Sequence, residues 1–338
     1  MMTFILMNFL FPLSATKKIF MYYESSPWEI EWLQNIEKWH NIECSILTTG
    51  NHSERAYLAV RWAQLRNRLF LVNAERKSDS SNFTENDVFS RMYYHCGEHK
   101  MFEYIESLVG IIRDPLTMCN GFHGVFNEGE SGVQAKRWLL MEPAGIVEDQ
   151  HYSKTRCGFT SNICKRNLLF DLGASTYSGW GGDTSAVGSK WFVERFQSFN
   201  MTFDHIYAFE FTQKSPSDIF KDIPINILTR YSYFNVPVES QPESVWNVWN
   251  FVKEVATEDD HVIVKLDIDS PGIEHNFIDQ LKTSQSLQLL VDELFFEDHV
   301  DTITMHRYWG SGMKRLLKDT YNDFLFMRRN GIRAHSWP

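Results

Sequence analysis

From Asn167 onward the chain alternates short apolar runs with longer amphipathic stretches, a rhythm that the preceding residues lack. The runs are Leu168-Leu169-Phe170, Ile206-Tyr207-Ala208-Phe209, Tyr233-Phe234-Asn235-Val236, Val262-Ile263-Val264 and Leu294-Phe295-Phe296. Each is short and nearly continuous, as strands covered on both faces are. Helical periodicity between and after them predicts helices over 190–199, 245–255, 273–281 and 313–329. Gly331 is placed to stop the last helix, and 332–337 is expected to return as a final strand. Strands alternating with helices imply a parallel sheet with crossover helices. The expected fold class over 167–338 is therefore α/β, a Rossmann-like, doubly wound and mostly parallel sheet.

The N-terminal part reads differently. Ser26-Pro27-Trp28-Glu29 joins an N-cap, a proline at the first helical position and a capping-box glutamate. Trp28, Trp32, Ile36 and Trp39 then recur at helical spacing, as a core stripe does. Further helices are expected over 53–65, over 100–112 ahead of Pro115, and over 133–141 ahead of Pro143. The run Leu69-Phe70-Leu71-Val72 reads as a strand or the end of the preceding helix, while 77–87 and glycine-rich 121–132 read as loops. Residues 21–166 are thus expected to form a largely helical region. Residues 1–20 carry an apolar stretch, Met1 to Ala15, followed by Lys17 and Lys18. That stretch reads either as a signal peptide or short anchor, or as a buried strand or helix. Sequons at Asn51, Asn82 and Asn200 suit a secretory or extracellular route, and a cytoplasmic location stays open beside it. Any membrane contact would run through that N-terminal stretch, since no other segment is apolar for long enough.

Composition narrows the partners. A formal net charge of −10, with lysines and arginines scattered, offers no basic stripe for a phosphate backbone, so nucleic acid is excluded as the main partner. Aromatic residues make up 15% of the chain, enough for a large core or an aromatic-lined cleft. The five cysteines, Cys44, Cys96, Cys119, Cys157 and Cys164, contain no CxxC pair, which argues against a structural zinc site.

Chemistry gathers at the expected strand ends. The first strand runs out in Phe170-Asp171-Leu172-Gly173-Ala174-Ser175, where small residues let backbone approach a ligand. The second ends at Glu210, an acidic tip suited to the two hydroxyls of a ribose. A tight turn at Gly173 beside a plain surface glutamate would leave the same trace. The densest string is Val264-Lys265-Leu266-Asp267-Ile268-Asp269-Ser270-Pro271-Gly272-Ile273-Glu274. Alternation along a strand would put Lys265, Asp267 and Asp269 on one face, and burying them unpaired is costly. The last run adds Glu293, Glu297, Asp298 and His299, with His306 shortly after. Asp267, Asp269, Glu297 and His299 then converge as a general base, as hard ligands for a divalent metal, or as a salt-bridged strand end.

Residues 167–338 resemble the FkbM-type group of class I methyltransferases that use S-adenosylmethionine (SAM). The likeness rests on FDLGAS (Phe170–Ser175), YAFEF (Tyr207–Phe211), NVPV (Asn235–Val238), VKLDIDSPGIE (Val264–Glu274) and FFEDHV (Phe295–Val300). It implies that Asp171, Gly173, Ala174, Ser175, Glu210 and Asp267 hold the cofactor SAM, and that Lys265, Asp269 and His299 are the catalytic residues lining the cleft. No metal belongs to that reading. Three features depart from the family pattern. The glycine usual after the first turn is displaced in Ser175-Thr176-Tyr177-Ser178-Gly179-Trp180-Gly181-Gly182, the interval from Asp171 to Glu210 is long, and Asp269-Ser270-Pro271-Gly272 stands for Glu-Gly. The expected function is SAM-dependent O-methylation of a hydroxyl on a carbohydrate or small molecule, with Asp269 or His299 as base. A catalytically silent Rossmann-like binding protein and a metal-dependent transferase are the alternatives.

Overall fold

The computed structural model describes residues 18–36, 89–96, 99–108, 145–147, 166–179, 188–197, 201–301 and 313–337. Two sheets organise them. The first holds β1 (Lys18–Glu24), β2 (Phe89–Cys96), β3 (His99–Glu106) and β4 (Gly145–Val147), in that order, with every pairing antiparallel. Helix α1 (Pro27–Gln34) follows β1, and its Ser26 cap accepts a hydrogen bond from the Glu29 N–H at 3.0 Å, as the N-cap signature predicts. The expected capping box is corrected: the Ser26 N–H donates to Ser90, and the Glu29 carboxylate accepts from the Leu108 N–H at 2.7 Å.

The second sheet is built from β5 (Asn167–Leu172), β6 (His205–Phe209), β7 (Tyr231–Phe234), β8 (His261–Leu266), β9 (Glu293–Phe296) and β10 (Arg333–Ser336). Its spatial order is β10-β9-β8-β5-β6-β7 and every pairing is parallel. The helices are α2 (Ser189–Gln197), α3 (Pro216–Phe220), α4 (Ile225–Leu228), α5 (Val248–Val255), α6 (Pro271–Thr283), α7 (Gln285–Leu290) and α8 (Leu317–Arg329). The α/β class expected of the C-terminal part is thus found, and Gly331 takes φ +92° just past α8. Register shows which face each helix covers. Phe170, Tyr207 and Val264 share one face, where Phe170 and Tyr207 meet Phe251 of α5 edge-on at 6.4 and 5.3 Å. Asp171, Lys265 and Phe295 share the other, where Phe295 meets Phe192 of α2 at 5.1 Å. All six residues of β5 and all six of β8 are buried, which is why their sequences are apolar without a period.

The helix expected over 100–112 is corrected where it is described. Residues expected to start a helix at Lys100 instead form β3, paired with β2 from Phe89↔Glu106 to Cys96↔His99. Met92, Tyr94 and Ile105 pack together on one side of this hairpin, a two-residue periodicity that only the cross-strand partner reveals. The stretches 53–65, 69–72, 77–87, 121–132 and 133–141, all but the last residues of 1–20, the three sequons and His306 lie outside the described residues. Among the described residues no helix is long and apolar enough to cross a membrane.

Buried ion pairs join the two sheets. The Arg328 guanidinium donates to the Glu106 carbonyl at 2.6 Å and to its carboxylate at 3.0 Å. Arg333 donates to Glu103 at 3.2 Å and Glu293 at 3.0 Å, and His335 Nδ1 lies 2.6 Å from Glu106. Burial alone would raise the Glu293 pKa, but the imidazoles of His261 and His335 and the charge of Arg333 hold it at about 2. Burial lowers His335 in the same way, and Glu106 outweighs it, so His335 sits above its ordinary 6.5. The two shifts work at opposite ends of the pH scale. Glu293 contributes stability that is present above about pH 4.5 and lost as pH falls toward 2. The contribution of His335 is complete below about pH 6.5 and lost as pH rises through its raised value. The melting temperature is therefore expected to peak between about pH 4.5 and 6.5 and to fall on both sides. A thermal-denaturation series that climbs steadily from pH 6.5 to 9 would show that His335 carries no such charge.

Candidate functional site

Chemistry-bearing residues cluster where β5, β6, β8 and β9 run out at their carboxyl ends. The turn after β5 is held from two directions. Gly173 and Ala174 both donate their N–H to the Phe209 carbonyl at 3.0 Å. Gly173 has φ +79°, and a Cβ there would lie 1.6 Å from the Asp267 carbonyl oxygen. Glycine is required because the backbone after β8 crosses at contact distance. Ala174 is buried, and Ser175 follows at φ +54°. Its N–H donates to the Glu210 carboxylate at 2.8 Å, and its carbonyl accepts from the Tyr233 hydroxyl at 2.6 Å. The other Glu210 oxygen accepts from the Thr212 N–H at 2.6 Å. Glu210 is half-buried at the tip of β6, fixed by two backbone donors.

Beneath this turn lies a buried ion group. The Lys265 ammonium is fully buried, 3.1 Å from Asp171 and 3.1 Å from Asp267. It also donates to the carbonyls of Leu172 and Gly173, each at 3.2 Å. Burial would lower its pKa, but the two carboxylates outweigh that and raise it well above the ordinary lysine range. Asp171 accepts from the Ser189 hydroxyl at 2.7 Å, and Asp267 from the Trp337 indole N–H at 3.0 Å. Trp337 in turn stacks on Phe192 at 5.3 Å, so the end of the chain closes over this group.

The third group centres on His299. Its Nδ1 is 3.0 Å from Glu274, whose other oxygen accepts the Ile268 N–H at 2.9 Å. Its Nε2 lies 3.7 Å from Asp269 and 3.8 Å from Glu297. Burial disfavours a charged imidazole, but Asp269, Glu274 and Glu297 together push its pKa up to about 10. One ligand atom from each of Asp269, Glu297 and His299 lies within 4.8 Å of the others. Asp298, the residue between, turns away to His275 at 2.8 Å and Thr320 at 2.6 Å, tying α6 to α8.

The structure sorts the expected residues into these three groups. Asp171, Lys265 and Asp267 come together, and so do Ser175 and Glu210. The expectation that Lys265, Asp267 and Asp269 share one strand face is corrected for Asp269. Strand β8 ends at Leu266, and Asp269 takes φ +55° just before α6, which turns it toward His299. Alternation does not outlast the strand that generates it. Asp267 likewise stands apart from the expected four-residue cluster, engaged by Lys265 and Trp337. Sequence reasoning did not single out Ser189, Glu274 and Trp337. Glu274 stands in the VKLDIDSPGIE string, five residues after Asp269, but only the fold brings it to the buried side of His299.

No family model, no characterised protein and no solved structure matches the chain.

Proposed function

We propose that residues 167–338 bind SAM in a Rossmann-like crevice and direct methyl transfer to an oxygen acceptor on a carbohydrate or other small molecule. Counted in chain order, the six parallel strands lie 3-2-1-4-5-6 across the sheet, the order in which such folds bind ligands at the central switch point. The switch here falls between β5 and β8, next to the turn at Gly173. The observation that carries the reading is Glu210. Each of its carboxylate oxygens accepts one backbone N–H, which leaves each a second lone pair. Two acceptors held rigidly at a strand tip fit the two adjacent hydroxyls of a ribose.

Bound SAM supplies a methyl group activated by the sulfonium centre, so no covalent enzyme intermediate is needed. The chain's own residues supply alignment and a proton acceptor. In this reading the turn Gly173–Ser175 faces the methionine part of the cofactor. Asp171, Lys265 and Asp267 act as positioning residues that hold the turn in place. Lys265, buried between two carboxylates that raise its pKa, belongs in this reading to the positioning group, not to the proton acceptors. Asp269, whose side chain is 69% exposed, is the carboxylate best placed to accept the acceptor's proton.

Calorimetric titration of the purified chain with SAM and with its demethylated product tests the reading directly. Glu210→Ala is expected to weaken SAM binding by about 1.5–3 kcal/mol, the range for hydrogen bonds to a charged group. Unchanged affinity in the variant would remove the ribose role. A folded wild-type chain that binds neither compound would remove the methyltransferase reading.

A further inference from the structure

We propose that Asp269, Glu297 and His299 form a binding site for one divalent cation of the Mn²⁺ or Zn²⁺ class, at the carboxyl ends of β8 and β9. Two carboxylates and an imidazole converge there, with ligand atoms within 4.8 Å of one another. Ligand distances of about 2.0–2.2 Å around a shared ion require the 3.7 and 3.8 Å edges of this triangle to close by roughly half an ångström. Asp269, mostly exposed, has room to make that move.

The imidazole is already arranged as a ligand. Glu274 is buried; one of its oxygens accepts from the Ile268 N–H and the other lies 3.0 Å from His299 Nδ1, which fixes the ring plane and aims Nε2 at Asp269 and Glu297. A carboxylate behind a metal-bound histidine plays this part in metalloproteins generally. Charge argues the same way. Three carboxylates surround one imidazole, and a dication at Nε2 in place of a proton would balance them better. The neighbouring acids do not share the task, because Asp267 is engaged by Lys265 and Trp337 and Asp298 by His275 and Thr320. A mixed oxygen and nitrogen ligand set favours Mn²⁺ or Zn²⁺ over Mg²⁺ or Ca²⁺, which prefer oxygen throughout. Three protein ligands leave coordination positions open. An acceptor's hydroxyl oxygen bound there would lose its proton to water more readily, and Asp269 would then serve as ligand in place of base. That last role rests on the methyltransferase reading, whereas the metal site itself does not.

The test is binding of Mn²⁺ alone, followed by loss of the aquo-ion's paramagnetic resonance signal, with Zn²⁺ as competitor. The wild-type chain is expected to take up one Mn²⁺ that Zn²⁺ displaces. Asp269→Asn and Glu297→Gln are each expected to weaken uptake at least about tenfold, and Glu274→Gln by roughly 10–100-fold through the orientation of His299. Asp269 is exposed, so its variant keeps the fold, as an unchanged melting temperature will confirm. A folded wild-type chain that binds neither ion, or an Asp269→Asn variant that binds as wild type does, overturns the proposal. SAM calorimetry on the same samples separates the two ideas. Metal uptake without SAM binding leaves this site standing and removes the methyltransferase reading, and SAM binding without metal uptake does the reverse.

Discussion

Gly173→Ala is expected to lower the stability of the chain by about 3–5 kcal/mol, the range of the largest single-residue effects. Two costs add. The backbone at φ +79° lies where an L side chain is strained. The new Cβ would also sit 1.6 Å from the Asp267 carbonyl oxygen, which is backbone and cannot swing aside as a flexible side chain can. Relief requires the turn after β5 to move away from the loop after β8. That movement breaks the paired donation of Gly173 and Ala174 to Phe209 and withdraws the Gly173 carbonyl from Lys265. At about 2–4 °C per kcal/mol for a domain of this size, the melting temperature should fall by roughly 6–20 °C. Ser175→Gly is the control, because that position already holds φ +54° and glycine relieves rather than adds strain. A Gly173→Ala variant melting within 3 °C of wild type would mean that the two loops do not cross at contact distance.

Lys265→Met carries an expected loss of similar size, for an electrostatic reason. Methionine fills much of the same volume, so packing is nearly conserved while the charge disappears. Asp171, which is fully buried, then loses the cation that lies 3.1 Å from it, and Asp267 loses its ion pair while keeping the Trp337 indole. Two carbonyls, those of Leu172 and Gly173, lose a donor as well. Removing one member of a buried ion pair costs about 3–5 kcal/mol, because the remaining charge is stranded in low dielectric. Asp171→Asn placed on the Lys265→Met background should recover part of that loss by removing the stranded charge. The single and double variants are compared by denaturant unfolding. A double variant no more stable than Lys265→Met alone would show that Asp171 is not what the lysine neutralises.

Several elements were legible from residues alone. The five apolar runs after Asn167 correspond to β5, β6, β7, β8 and β9, and the strand expected at 332–337 is β10. Their boundaries were less legible. The third apolar run begins at Tyr233, while β7 begins at Tyr231, because a nearly continuous apolar run has no period to mark its start and pairing with β6 decides it. The cap at Ser26 was legible because capping is a local hydrogen bond between residues three apart. β3 was not. The same string satisfies a helical stripe and a strand, and the choice falls to its partner β2.

The candidate site divides along the same line. The presence of Asp171, Gly173, Glu210, Lys265, Asp267, Asp269, Glu297 and His299 near strand ends follows from sequence, because an apolar run that stops in charged and small residues has reached the edge of the sheet. Which of them meet is a tertiary matter. The parallel pairing of β5 with β8 sets Asp171 beside Lys265, although 94 positions separate them. The left-handed turn at Asp269 splits it from Asp267 and gives it to His299. Glycine at 173 announced a close approach, but only the fold shows that the approaching group is the backbone of Asp267. The sequence by itself thus determined the α/β alternation, the caps and the supply of ionisable groups, all of which depend on residues a few positions apart. Strand order, the antiparallel N-terminal sheet, the burial of Lys265 between two aspartates and the convergence of Asp269, Glu297 and His299 were decided by the tertiary structure. Those contacts join residues far apart in the chain, and their energies exist only once the strands between them have paired.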